Sequence, residues 1–285
     1  MLLSNKIAIV TGAGGGMGGA IAIKFAGEGA DIAVVDLNEQ RLNTTLEEVK
    51  KLGRECIAIP TNITKSDQVQ AMVEKVIEKF GRIDILVNAA GTLLDFADME
   101  INSISDIPED QWDNLVEVNL KGCFLVCKAV SRYMKEKQYG KIVNFSTLGA
   151  VTPPAVAPHY NAAKAGVLGL TYDMASELGP KGITVNAVLP GPIKTTFYEK
   201  IMGTMTEEMK EAMYKEMSKG APLQRAGTAD EVADVVLFLS SNMSSYVTGV
   251  GLLVAGGMPL TPRIGQDDHR DKVAADMPPL FGQKH

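Results

Sequence analysis

Short apolar runs rich in β-branched residues recur along the chain, and a longer segment with helical spacing follows most of them. The runs are KIAIV from Lys6, DIAVVD from Asp31, ECIAIP from Glu55, DILVN from Asp84, KIVNFS from Lys141, ITVNAV from Ile183 and GLLVA from Gly251. Strands that are apolar on both faces and separated by helices are typical of a parallel sheet covered on both sides. The pattern therefore predicts one doubly wound α/β domain with about seven parallel strands and about six helices.

Two segments do not fit this alternation. A long connection from Thr92 to Trp112 follows the fourth predicted strand, and connections of that length are usually functional or disordered. From Pro259 onward the chain is rich in proline and charge, which is typical of a poorly ordered terminus. We therefore expect residues 1–258 to form one domain and residues 259–285 to form a C-terminal tail.

Charge and hydropathy exclude some classes of partner. The formal net charge of -6 provides no basic surface for a nucleic acid. No run approaches the roughly 18 apolar residues that a membrane span needs, and the N-terminus lacks the features of a signal peptide. The three cysteines have no zinc or redox spacing, and Cys123 and Cys127 are interpreted as small apolar residues on one helix face. We expect a cytoplasmic protein with no nucleic acid, membrane or metal partner.

A glycine-rich turn lies between the first strand and the first helix. Its sequence, TGAGGGMG from Thr11, lets the backbone approach a phosphate, and the helix start that follows supplies free N–H groups. Asp36 closes the second strand eighteen residues after Gly18, where a carboxylate accepts the ribose hydroxyls of an adenosine and repels a 2′-phosphate. The two features predict NAD(H) as the cofactor. Alternatively, Asp36 only caps the helix that begins near Asn38.

Tyr160 and Lys164 lie four residues apart in a helical segment and therefore share one face. A tyrosine with the ordinary pKa of about 10 is a poor base, and lowering that pKa to about 7 requires about 4 kcal/mol. An ammonium about 4 Å away supplies an energy of that order at an effective dielectric constant of about 20. The pair therefore predicts a tyrosine that serves as an acid or base near neutral pH.

The motifs, and the order in which they occur along the chain, resemble those of the short-chain dehydrogenase/reductase family in its one-domain form. The resemblance covers about residues 5–257 and rests on TGAGGGMG, NAAG from Asn88, VNL with Asn119, Tyr160-x3-Lys164 and PGPIKT from Pro190. It implies a Rossmann-type fold, a nicotinamide cofactor and a homotetramer.

The resemblance implies catalytic roles for four residues. In that family the tyrosine matching Tyr160 donates or accepts the substrate proton, and the lysine matching Lys164 also binds the nicotinamide ribose. The asparagine matching Asn119 supports a proton relay through water. A substrate-orienting serine usually stands thirteen residues before the tyrosine, and Thr147 occupies that position here, with Ser146 one residue earlier. Because successive strand side chains point to opposite faces, both hydroxyls cannot serve equally, and we prefer Thr147.

The resemblance also implies a set of cofactor contacts. A residue after the third strand meets the adenine, the NAAG segment shapes the cofactor floor, and PGPIKT cradles the nicotinamide, with Thr195 at its carboxamide. The family commonly has an aspartate where this chain has Asn62. Besides Asp36, Tyr160 and Lys164, the predicted cofactor-binding residues are Gly12, Gly16, Met17, Gly18, Asn62, Ile63, Asn88, Ala89, Gly91, Pro190, Gly191, Ile193 and Thr195.

Residues 196–220 match the segment that covers the substrate in that family, and they carry methionines every four residues from Met205 to Met217. Such a stripe either packs against the protein body or lines a pocket for a bulky apolar or cyclic, hydroxysteroid-like substrate. We therefore predict an NAD-dependent oxidoreductase that interconverts a secondary alcohol and a ketone. The alternatives are a 3-oxoacyl-thioester reductase, although such enzymes commonly prefer NADPH, and a non-catalytic NAD-binding protein. An enoyl reductase is less favoured because its relatives space the tyrosine and lysine more widely.

Overall fold

The computed structural model describes residues 1–93, 104–153, 157–195, 203 and 205–259. The ten central residues of the connection from Thr92 to Trp112, most of residues 196–204 and the tail from residue 260 onward lie outside this part of the chain. Predictions that concern those residues therefore stay predictions.

Seven parallel strands form the main sheet, and a separate pair forms a second, two-stranded sheet. The main strands are β1 (Ile7–Thr11), β2 (Asp31–Asp36), β3 (Cys56–Pro60), β4 (Ile85–Asn88), β5 (Gly140–Phe145), β6 (Ile183–Pro190) and β9 (Gly251–Val254). The second sheet pairs β7 (Ile193–Lys194) with β8 (Gly227–Thr228). The main sheet confirms all seven predicted strands, whereas the small sheet is an addition.

Eight α-helices connect these strands within the described residues, against about six expected. They are α1 (Gly16–Gly27), α2 (Glu39–Lys51), α3 (Ser66–Phe80), α4 (Glu109–Val116), α5 (Gly122–Lys137), α6 (Pro158–Leu178), α7 (Glu207–Met217) and α8 (Ala229–Ser240). A π-helical turn, Glu117–Lys121, joins α4 to α5. Short 3₁₀ turns lie at Ile104–Asp106, Leu148–Ala150, Gly179–Lys181 and Asn242–Ser244. None of the helices described is long and apolar enough to cross a membrane.

The strand order is β3-β2-β1-β4-β5-β6-β9, so successive strands are added in opposite directions on either side of the β1–β4 boundary. Helices α1, α2 and α8 pack on one face of the sheet, and α3, α5 and α6 pack on the other. This is the predicted doubly wound α/β fold. In such folds, ligands bind outside the carboxyl ends of the strands, where the order reverses.

Candidate active site

The glycine-rich turn TGAGGGMG from Thr11, called the phosphate loop below, lies against the NAAG segment at the end of β4, where the strand order reverses. Gly12 has a φ of 69°, and a Cβ atom there would lie 2.8 Å from the backbone nitrogen of Ala90. The Thr11 hydroxyl accepts a hydrogen bond from the N–H of Ala90 at 3.1 Å. Only glycine therefore fits position 12 without strain. The phosphate loop and the NAAG segment are in direct contact and together form one side of the candidate site.

The first turn of α1 has the properties of a pyrophosphate site. Its N-cap residue is Gly15, no side chain caps the helix, and its first turn contains no acidic residue. A Cβ atom at Gly18 would lie 2.2 Å from the carbonyl oxygen of Gly12, so the helix starts in close contact with the turn. The uncapped N–H groups can bind the phosphates of a dinucleotide, and the glycines, which have no side chain, leave the space for them. Met17 is half-buried and packs into the core beneath the loop.

Asp36 lies at the carboxyl end of β2, beside the phosphate loop. Its two carboxylate oxygens accept hydrogen bonds from the N–H of Gly14 at 3.2 Å and from the N–H of Asn38 at 3.0 Å. The side chain of Asn38 itself caps α2, by accepting from the N–H of Arg41 at 3.0 Å. Asn38, and not Asp36, is therefore the N-cap of α2, whereas Asp36 bonds the N–H of that N-cap residue. A carboxylate has about four acceptor positions, so Asp36 retains capacity for two ribose hydroxyls.

The predicted adenine contacts are partly engaged within the chain. The Asn62 side-chain oxygen accepts from both the N–H and the hydroxyl of Thr64, at 3.0 and 2.9 Å. Ile63 is buried, and its Cδ1 atom approaches Gly122. The Asn62 oxygen thus stabilises the local turn and has less capacity for an adenine than the sequence suggests.

Asn88 belongs to the predicted cofactor floor, but its side chain points into the protein. Its Nδ2 atom donates to the Asn144 oxygen at 3.0 Å and to Cys127 Sγ at 3.1 Å. Among the predicted floor residues, Ala89 and Gly91 are more exposed than Asn88.

Asn119 lies in the π-helical turn, and such turns are frequent at functional sites. Its Nδ2 atom donates to the carbonyl oxygens of Thr92 and Leu115, and its Oδ1 atom accepts from the N–H of Thr92 at 3.2 Å. A Cβ atom at Gly91 would lie 2.7 Å from Asn119 Oδ1 and 3.1 Å from Lys164 Nζ. Asn119 Oδ1 and Lys164 Nζ therefore both lie next to Gly91.

Tyr160 and Lys164 share one face of α6. The Lys164 Nζ atom lies 5.8 Å from the centre of the Tyr160 ring and donates to the Phe145 carbonyl oxygen at 3.0 Å. Lys164 is 4% exposed, and burial lowers its pKa to about 8. At neutral pH the group is therefore mostly a cation held in a dry environment beside the half-buried tyrosine.

The two hydroxyls at the end of β5 have different surroundings. Ser146 is buried, and its hydroxyl donates to the carbonyl oxygen of Lys164 at 2.8 Å. Thr147 is half-buried and extended, one residue beyond the strand. Ser146 thus fastens α6 to β5, and Thr147 is the more exposed hydroxyl beside the Tyr160 helix.

Residues of PGPIKT continue the same edge beyond β6. The N–H of Gly191 donates to the Val254 carbonyl at 3.0 Å, and a Cβ atom at Gly191 would lie 2.9 Å from that of Ala255. Pro190 ends β6, and Ile193 is buried in the small sheet. The hydroxyl of Tyr214, which the sequence analysis did not select, contacts the backbone of Thr195. Nothing local in the sequence marks Tyr214, because the contact joins a helix to a residue nineteen positions earlier.

Comparisons with known proteins agree with this arrangement. Residues 12–259 match the family described as enoyl-(acyl carrier protein) reductase. The chain is 38% identical over 258 residues to the 3-oxoacyl-[acyl-carrier-protein] reductase FabG of Thermotoga maritima, covering 90% of this chain and 99% of that protein. It is 36% identical over 261 residues to the (2S)-[(R)-hydroxy(phenyl)methyl]succinyl-CoA dehydrogenase subunit BbsD of Thauera aromatica, covering 91% and 99%.

Among solved structures, NAD⁺-bound xylitol dehydrogenase superimposes with a TM-score of 0.83 at 33% identity, covering 90% of this chain and all of that one. The fold and the ordered site motifs define a dinucleotide-dependent enzyme. The chain belongs to the short-chain dehydrogenase/reductase family and is an oxidoreductase that acts on small molecules.

Proposed function

We propose that the protein is an NAD(H)-dependent oxidoreductase that interconverts a secondary alcohol and a ketone. The observation that carries the proposal is the buried Lys164 ammonium beside Tyr160, at the sheet edge that also holds the phosphate loop. Burying a cation costs free energy unless the charge is paired, and ionisable groups with shifted pKa values cluster at functional sites.

The proposed chemistry assigns a role to each catalytic side chain. In the oxidative direction Tyr160 accepts the hydroxyl proton, and Thr147 hydrogen-bonds the substrate oxygen. The Lys164 ammonium, 5.8 Å from the centre of the Tyr160 ring, stabilises the phenolate electrostatically. Asn119 holds the backbone at Thr92 and is proposed to support a proton relay through water. When bound, the nicotinamide cofactor supplies the hydride acceptor or donor.

The preference for NAD(H) over NADP(H) rests on Asp36. Its carboxylate lies within hydrogen-bonding distance of the Gly14 N–H and is half-buried at the edge of the proposed adenosine site. A 2′-phosphate placed there would meet a like charge, which disfavours binding. The NAD⁺-bound xylitol dehydrogenase neighbour agrees with this choice.

The substrate class is proposed from the methionines around α7. Met205 and Met213 pack against Tyr214 and Ala226, whereas Met209 is 54% exposed. Packing against the protein body accounts for Met205 and Met213, and we propose that the exposed Met209 faces the substrate. An adaptable methionine surface suits a bulky apolar or cyclic alcohol.

A second candidate, a 3-oxoacyl-thioester reductase, is favoured by the similarity to FabG of Thermotoga maritima. The BbsD relative is named as a dehydrogenase of a phenyl-substituted CoA thioester. Asp36 argues against the reductase, because enzymes of that kind commonly prefer NADPH. The enoyl reductase in the family description is disfavoured by the Tyr160-x3-Lys164 spacing.

The test is NADH production at mildly alkaline pH across secondary alcohols, hydroxysteroids, cyclic alcohols, polyols and hydroxyacyl thioesters, with NADP⁺ in parallel. The expected result is turnover with NAD⁺, strongest for a bulky apolar alcohol. An Asp36→Ala variant should accept NADP⁺ better than the wild type does. Activity with NADP⁺ alone would overturn the cofactor assignment, and NAD(H) binding without any turnover would favour a non-catalytic NAD-binding protein.

The remaining expectations from the sequence belong to this proposal. We propose a cytoplasmic enzyme that assembles as a homotetramer, on the strength of the family relationship. Light scattering of the purified protein tests the assembly, and a monomer would contradict it.

A further inference from the structure

Helix α7 contacts the predicted nicotinamide-binding segment through one side chain. The Tyr214 hydroxyl accepts a hydrogen bond from the N–H of Thr195 at 3.3 Å and donates one to the carbonyl oxygen of Thr195 at 3.4 Å. A single hydroxyl therefore engages both backbone polar groups of the residue that ends the PGPIKT motif.

The surroundings of Tyr214 make this contact a fixed one. The side chain is 7% exposed and packs with Ala226, Met205 and Met213. A second link between the same elements, the ion pair of Lys194 and Glu211 at 2.6 Å, joins side chains that are 40% and 65% exposed. Exposed pairs contribute little, so the buried tyrosine is the stronger of these two links.

The opposite side of the segment is anchored to the protein body. Strand β7 pairs with β8, and the N–H of Gly227 donates to the Pro192 carbonyl at 3.0 Å. Immediately after β8, Thr228 and Glu231 form a capping box that starts α8, and Arg225 pairs with Glu231. Thr195 is thus the first residue after β7, and the Tyr214 hydroxyl bonds it from α7.

We propose that Tyr214 is a positioning residue, which holds the Thr195 backbone so that this residue meets the nicotinamide, and which couples α7 to that end of the cofactor. The inference rests on the proposed function, because Thr195 is assigned to the nicotinamide carboxamide there. It goes beyond that assignment by giving a helix of the substrate-covering segment a role in cofactor binding.

The first experiment compares Tyr214→Phe with the wild type for binding of NADH and of ADP-ribose, by titration calorimetry. ADP-ribose lacks the nicotinamide, so it reports only on the adenosine and phosphate contacts. We expect the dissociation constant for NADH to rise about five-fold, the effect of losing about one hydrogen bond, and that for ADP-ribose to stay unchanged.

Two variants serve as controls. Tyr139→Phe removes a buried tyrosine hydroxyl that has no hydrogen-bond partner in the described part of the protein, so both ligands should bind as in the wild type. Glu211→Gln removes the exposed ion pair and should change NADH binding less than two-fold. Equal weakening of NADH and ADP-ribose binding by Tyr214→Phe would overturn the proposal in favour of a general structural role, as would no change in either.

Amide hydrogen exchange tests the contact without any cofactor. Peptides that contain Thr195 should exchange faster in Tyr214→Phe than in the wild type, and unchanged exchange would overturn the positioning role. Failure of the proposed function has a different signature, since wild-type protein would then bind no NADH or bind it without turnover.

Discussion

Replacing Lys164 with methionine should stabilise the protein and abolish its turnover. The Lys164 ammonium is 4% exposed, and its one hydrogen bond in the described structure is to the Phe145 carbonyl. Methionine has a similar length and volume but no charge, so it removes the cost of the buried ion and keeps most of the packing.

The size of the effect follows from the pKa of the lysine. Burial lowers that pKa from 10.5 to about 8, and the difference corresponds to about 3 kcal/mol of destabilisation by the charged form. Loss of the hydrogen bond to Phe145 costs about 1 kcal/mol. The net gain of about 2 kcal/mol should raise the melting temperature by roughly 4–8 °C in a protein of this size.

The dependence on pH supplies a check within the same experiment. Below about pH 8 the lysine is charged in both the folded and unfolded states, so its full cost applies. Between about pH 8 and 10.5 the unfolded state binds more protons than the folded state, so the wild type gains stability as pH rises. The advantage of Lys164→Met should therefore be largest at pH 7 and should turn into a loss of about 1 kcal/mol above about pH 10.5, where only the missing hydrogen bond to Phe145 remains.

The assay is calorimetric melting of the cofactor-free protein across this pH range, with Lys75→Met as the matched control. Lys75 is exposed, so its replacement should change the melting temperature little and without this pH dependence. A Lys164→Met variant that melts below the wild type at pH 7, or whose advantage is independent of pH, would refute the reasoning.

Three further predictions concern other parts of the site and core. Thr147→Val should lose most turnover. Ser146→Ala should keep its turnover but lose about 1 kcal/mol of stability, because its buried hydrogen bond to the Lys164 carbonyl is removed. If Ser146→Ala loses turnover and Thr147→Val keeps it, the substrate contact belongs to Ser146. Gly12→Ala should abolish NADH binding, because the new Cβ atom would clash with the backbone of Ala90. Gly53→Ala is the matched control: Gly53 has a similar φ of 73°, but nothing lies within 4 Å of a Cβ atom there, so this variant should only lower the melting temperature slightly. All three cysteines are buried, and burial raises the pKa of Cys56 to about 12, so a thiol reagent should label them only after denaturation; rapid labelling of the folded protein would contradict their placement.

The main sheet was predictable because each of its strands is a short, largely apolar run. Strands β1, β2, β4, β5 and β6 are buried on both faces, whereas the edge strand β9 is apolar but exposed. Strands β7 and β8 have two residues each, which is too short for any period to appear. They form because Ile193 is buried and Gly227 leaves room for its side chain, since a Cβ atom at position 227 would lie 2.7 Å from Ile193 Cδ1. Such pairing depends on tertiary packing, which a local pattern does not encode.

In the candidate site, too, some features follow from the local sequence and others depend on tertiary packing. Glycine positions and the Tyr160–Lys164 spacing are fixed by local geometry, so the sequence indicates them directly. The orientation of Asn88 depends instead on its cross-strand neighbour Asn144 and on Cys127, so the motif alone suggested a cofactor contact that the side chain does not offer. The contact of Tyr214 with Thr195 joins two elements through the fold and has no local signal.

Buried polar groups beneath the site explain how its geometry is held. Asn88 donates to Asn144, and Asn144 donates to the Thr171 hydroxyl at 3.0 Å, which connects β4 and β5 to α6. Thr171 lies two helical turns after Lys164, whose own carbonyl oxygen and Nζ atom bond to Ser146 and Phe145. Helix α6 is therefore fastened to β5 at two levels, by hydrogen bonds that a dry interior strengthens. Together these two sets of hydrogen bonds hold α6 against β5, and with it the Lys164 ammonium beside Tyr160, against the tendency of a charged group to reach water.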